Sequence, residues 1–111
     1  MDRKKQERAP FVEALEGYCQ QHLKAYHTPG HKLGQGISAY QASLFGDALR
    51  RDLGVMYALD DLFQPEGALK EAMDLAADLY GAGRTFFSIN GTTACIEAMI
   101  LAVCGDGDEI L

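Results

Sequence analysis

The chain has 111 residues, 48% hydrophobic and 23% charged, a balance that fits a globular domain and excludes disordered or collagen-like chains. Sixteen acidic against ten basic side chains give a net charge of −6, which opposes attraction to nucleic-acid phosphates or anionic lipid surfaces. The longest apolar run, Ala98 to Cys104, is far short of the ~20 residues a membrane-spanning helix needs, so neither nucleic acid nor a membrane is expected as a partner.

Residues 1–8, MDRKKQER, are almost wholly polar and read as a frayed end. They carry the positive charge of a signal peptide, but Glu13 and Glu16 interrupt what would be its apolar segment, so secretion is not indicated. From Pro10, suited to a first helical turn because its missing N–H has no partner there anyway, Phe11, Leu15, Tyr18, Cys19 and Leu23 recur at helical spacing. The pattern predicts an amphipathic helix ending near Tyr26. HTPGHKLGQG, residues 27–36, then breaks regular structure, with Pro29-Gly30 suited to a type II turn in which Gly30 takes a positive φ. Ser38 to Arg51 reads as a weakly patterned helix, and GVMYALDDLFQPEG as irregular chain with a turn at Gln64 to Gly67.

From Pro65 or Glu66 a second amphipathic helix follows, with Leu69, Met73, Ala76, Ala77 and Tyr80 on one stripe and Gly81 as its stop. TFFSI, residues 85–89, is β-prone and short enough for a strand. Asn90-Gly91 turns the chain, and Thr92 or Thr93 is expected to cap a helix running to a stop at Gly105. Asp106 to Asp108 read as a loop, with Ile110-Leu111 as the start of a second strand. The last helix carries one charged residue, Glu97, and is otherwise apolar, the pattern of a helix buried inside a larger body. A strand, a helix and the beginning of another strand make an opened βαβ unit. The whole reads as the N-terminal piece of a larger α/β protein, and the isolated chain is expected to be molten or aggregated.

Three cysteines, Cys19, Cys95 and Cys104, at wide spacing fit reduced thiols in the cytosol better than a disulfide framework. Among the segments that could carry chemistry, the strand-to-helix junction at Gly91, Thr92 and Thr93 stands first. A glycine and two hydroxyl residues at a helix N-terminus offer backbone N–H groups, the positive dipole end and two O–H donors to one anion, ideally a phosphate. The bland reading is that a threonine merely caps the helix. HTPGHK gathers His27, His31 and Lys32 around a fixed turn. With Cys19 and His22 it superficially resembles a zinc set, but His27 and His31 straddle Pro29-Gly30 instead of sharing a helical face, so no metal site is predicted. GQGISA fits a dinucleotide fingerprint but follows no apolar strand, and the match is read as accidental. Asp60 and Asp61, adjacent and flanked by leucines, are read as orienting backbone around a turn and not as a catalytic carboxylate pair.

Four segments in order, YHTPGHKLGQG, LDDLFQPEG, AMDLAADLYGAGRTFF and INGTTACIEAMILAVCGDGDEIL, resemble the successive N-terminal motifs of the ornithine/lysine/arginine decarboxylase family. The resemblance implies a fold of the α/β class: the incomplete N-terminal part of a pyridoxal-phosphate-dependent transferase (fold type I) large domain, mostly helical with one complete strand. Residues 1–26 are then a frayed end and amphipathic helix, and residues 27–111 the truncated start of the cofactor-binding major domain. It implies pyridoxal 5'-phosphate as cofactor, a basic amino acid as the parent enzyme's substrate, and the remainder of the enzyme or a homo-oligomer as partner. The phosphate-gripping role passes to Gly91, Thr92 and Thr93. The family's ring-stacking His, pyridinium-binding Asp and Schiff-base Lys all lie beyond the matched motifs, so no catalytic residue is assigned and the chain alone is expected to be inactive. Where many members carry a Thr-Glu pair before LDDL, Gly54-Val55 stands here. Two other readings are an aminotransferase-like or lyase enzyme of the same fold type, and a non-catalytic fragment that completes a split enzyme.

Overall fold

A computed structural model describes residues 3–110. Five α-helices follow one another: α1 (Arg3–Gln6), α2 (Pro10–Gln20), α3 (Ala39–Phe45), α4 (Ala68–Tyr80) and α5 (Gly91–Val103), with a 3-10 turn at Gly46–Arg50 continuing α3. The predicted frayed end is in part ordered. Gln6 Nε2 donates to the Leu75 carbonyl at 3.0 Å and to Asp78 Oδ2 at 3.2 Å, fixing α1 to α4. Arg8 pairs with Glu13 at 2.6 Å and with Glu71, which joins the start of α2 to α4. Pro10 at the first position of α2 is buried, and Leu59, Met73 and Ala77 are the buried hydrophobic residues.

Helix α2 ends at Gln20, six residues before the expected Tyr26, because His22 turns into the left-handed region at φ 52°. The turn sends the chain back so that His27 Nε2 meets the Tyr18 hydroxyl at 3.1 Å, a tertiary bond that a continued helix would forbid. The 27–36 loop also departs from expectation. Gly30 is not in the left-handed region; Lys32, Leu33 and Gly34 are, and the Thr28–Pro29 peptide is cis. Ser38 opens α3 through a capping box, its Oγ accepting from the Gln41 N–H at 3.2 Å while Gln41 Oε1 accepts from the Ser38 N–H at 3.0 Å. No strand precedes this segment among the described residues, which disposes of the dinucleotide fingerprint.

Helix α4 starts at Ala68, two or three residues after the predicted Pro65 or Glu66, and stops as predicted at Gly81, which adopts φ 65° and ψ 26° so that the Ala82 N–H reaches the Ala77 carbonyl at 2.9 Å. Its buried stripe is Met73 and Ala77; Tyr80, placed on that stripe by spacing, is instead 81% exposed. The predicted strand at 85–89 does not form. A strand needs a neighbour to take its backbone hydrogen bonds, and the one β-bridge among the described residues joins Met56 to Asp60 elsewhere. Phe86 and Ile89 stay exposed, with the Arg84 guanidinium over the Phe86 ring. The expected second strand fails at Ile110, which has no regular structure, and Leu111 lies outside the described residues.

Helix α5 buries none of its residues. The Cα radius of gyration is 18.2 Å, against about 13 Å for a compact domain of this length. The architecture described is thus a small helical body of α1, α2 and α4 with an outlying apolar helix. None of the described helices is long and apolar enough to cross a membrane.

Candidate functional site

The Gly91 to Thr93 turn lies at the N-terminus of α5. Gly91 has φ 82°, a conformation that L side chains rarely adopt, and space is open where a Cβ would stand. Neither threonine caps the helix as expected: the N-cap position falls on Asn90, whose side chain makes no capping bond, and Thr92 and Thr93 lie within the first turn. The reason is the glycine itself, whose backbone reverses the chain one residue earlier than a threonine could. The Asn90 N–H turns back to Ser88 Oγ at 3.3 Å. What remains is a helix start without a side-chain cap, exposed throughout residues 90–93, with two hydroxyls beside its backbone donors. This donor set suits an oxyanion with several acceptor oxygens.

The histidine loop is built differently. The Gly34 N–H donates to His31 Nδ1 at 3.2 Å, so His31 carries its proton on Nε2 and donates it to Asp52 Oδ2 at 3.2 Å. His27 carries its proton on Nδ1, donating to the Thr28 carbonyl at 2.8 Å, and its Nε2 accepts from the Tyr18 hydroxyl. Both nitrogens of both rings are engaged. Among the described residues, no three or more His, Cys, Asp or Glu side chains are grouped so as to hold a metal ion. Around the loop, Cys19 Sγ donates to the Arg50 carbonyl at 3.1 Å and Arg51 pairs with Glu16 at 2.5 Å, binding the 50–52 segment to α2.

Asp60 forms the third cluster. Its Oδ1 accepts from the N–H groups of Asp61 at 2.9 Å and Glu66 at 3.0 Å; Oδ2 accepts from Gly67 at 2.8 Å, Leu69 at 3.0 Å and Lys70 at 3.3 Å. Burial pushes its carboxyl pKa upward, but the N–H groups of Glu66, Asp61, Gly67 and Lys70 together outweigh that and hold it down at about 2. Asp61 Oδ1 accepts from the Phe63 N–H at 2.9 Å in a local turn. The two carboxylates therefore orient backbone, as the sequence suggested. The range of Asp60, which reaches the first turn of α4 as far as Lys70, ten residues on, has no signature in local spacing.

The model of the Orn/Lys/Arg decarboxylase major domain matches residues 9–111. An arginine decarboxylase of Bacillus anthracis is 45% identical over 112 residues, covering 100% of this chain and 23% of the relative. The lysine decarboxylase LdcA of Pseudomonas aeruginosa is 38% identical, covering 92% and 14%, and the inducible ornithine decarboxylase of Escherichia coli 35% identical, covering 94% and 15%. The chain thus spans less than a quarter of the length of these curated relatives. No solved structure matches it.

Proposed function

The chain belongs to the Orn/Lys/Arg decarboxylase family, and from that membership we propose that it supplies the N-terminal part of a cytoplasmic, pyridoxal 5'-phosphate-dependent decarboxylase of a basic amino acid. Residues 1–26 lead in, and residues 27–111 begin a cofactor-binding major domain of fold type I. Gly91, Thr92 and Thr93 grip the cofactor phosphate: the first-turn N–H groups and both hydroxyls donate to its oxygens, and the α5 dipole favours its negative charge. When bound, the cofactor supplies an electron sink for decarboxylation. The observation that carries this reading is the positive-φ Gly91 opening a thirteen-residue helix that has no side-chain cap.

The chain by itself is inactive, because its five lysines, Lys4, Lys5, Lys24, Lys32 and Lys70, lie outside the family's cofactor-attachment motif. The remainder of the enzyme, as one chain or a homo-oligomer, completes the site. Arginine is the first substrate to try, since the relative named for it is 45% identical against 38% and 35% for those named for lysine and ornithine.

The test grafts this segment onto the remainder of the Bacillus anthracis relative and measures cofactor retention and CO2 release from arginine. Replacing Thr92 and Thr93 together by Val is expected to weaken cofactor binding about tenfold or more, because each lost bond is to a charged group. Unchanged cofactor affinity in that double variant overturns the phosphate assignment. A folded graft that releases CO2 from none of the three amino acids overturns the decarboxylase reading.

A further inference from the structure

Helix α4 begins at Gly67, which has no side chain with which to cap it. Capping is performed from a distance by Asp60, whose two oxygens take five backbone N–H groups spread over residues 61–70. A Cβ at Gly67 would stand 3.4 Å from Asp60 Oδ2, in ordinary van der Waals contact with the carboxylate that serves as the cap. Asp60 sits at φ 73°, where aspartate is among the few non-glycine residues tolerated. It closes a turn that also holds a Met56–Asp60 bridge and a Leu59 N–H to Met56 carbonyl bond of 2.9 Å. The same turn delivers Leu59, only 3% exposed, into the small core.

We propose that Asp60 is a positioning residue that locks the turn at residues 56–60 onto the start of α4, its carboxylate acting as a built-in anion whose place a small free carboxylate can take. The arrangement is specific for an anion acceptor, since every group aimed at it is a donor. An amide there would turn an N–H2 toward other N–H groups. This inference stands on the local geometry alone and does not rest on the decarboxylase reading.

The test is amide hydrogen exchange in this segment grafted onto the remainder of the Bacillus anthracis relative, read at Gly67, Leu69 and Lys70. Asp60→Gly removes the carboxylate while keeping the positive φ comfortable. It is expected to speed exchange at the three amides at least tenfold, and added formate is expected to restore protection saturably. Formamide and chloride are not, because the first lacks the charge and the second the paired oxygens. Asp60→Asn is expected to lose protection without rescue, its side chain still filling the space. Three results overturn the proposal: unprotected amides in the unsubstituted graft, unchanged exchange in Asp60→Gly, or a loss that formate fails to reverse better than formamide or chloride.

Discussion

Helices α4 and α5 each have thirteen residues, and the chain treats them in opposite ways. The first alternates polar and apolar faces, buries Met73 and Ala77 against a body that includes α1 and α2, and has both ends closed, by Asp60 at one and Gly81 at the other. The second is apolar almost all round yet keeps Met99, Leu101 and Val103 exposed and its first turn uncapped. An amphipathic stripe needs one neighbour, which α2 provides. A helix apolar on every side needs walls all round, and the described residues supply none of them. The same contrast holds for the two helix N-termini: one is filled by the chain's own carboxylate, the other has no side-chain cap.

The comparison can be broken from the α4 side first. Met73→Ala should destabilise the α1–α2–α4 body by about 2–5 kcal/mol through lost burial and a cavity, read as the loss of helical circular dichroism in denaturant. Asp60→Ala should cost on the order of 2 kcal/mol at neutral pH. The folded carboxyl, at about 2, lies below its ordinary 3.8, so its contribution is complete above roughly pH 4, declines as pH falls and is gone below roughly pH 2. An acid titration of α4 exchange protection checks this, and protection that holds steady from pH 5 to pH 2 would contradict it. Gly81→Ala should cost about 1 kcal/mol by forcing a Cβ into the left-handed region, seen as fraying at Tyr80 and Ala82. On the α5 side the expected effect is smallest: Leu101→Lys should change the stability of the helical body by less than about 0.5 kcal/mol. It should also reduce self-association in sedimentation, and a large loss of body stability would show that α5 is docked after all.

Much of this contrast was readable from the residues. Periodicity and terminal signals located α2, α4 and α5, and the lone Glu97 marked α5 as a helix without a solvent face. The Ser38 and Gln41 pair is a capping-box spacing that could have placed the start of α3. The Gly91 to Thr93 turn was legible as the start of a helix, although the cap position fell on Asn90 and not on a threonine. What spacing did not reveal depends on contacts between distant residues. TFFSI has strand chemistry, but pairing depends on a partner that its own composition cannot supply. The end of α2 was set by the Tyr18–His27 bond, and the start of α4 by a carboxylate seven residues before its N-cap. Positive φ at Lys32 and Leu33, with Gly30 beside them to offer cheaper freedom, likewise reflects the bond from Gly34 to His31.

The opposed proton positions of His27 and His31 make the loop chemically deaf. A transition-metal ion arriving there finds every in-plane lone pair of the two rings already spoken for, one by the Gly34 amide and one by the Tyr18 hydroxyl. Two imidazoles within a six-residue segment thereby behave as struts, and chemical modification of either ring would register first as a change of shape in the loop.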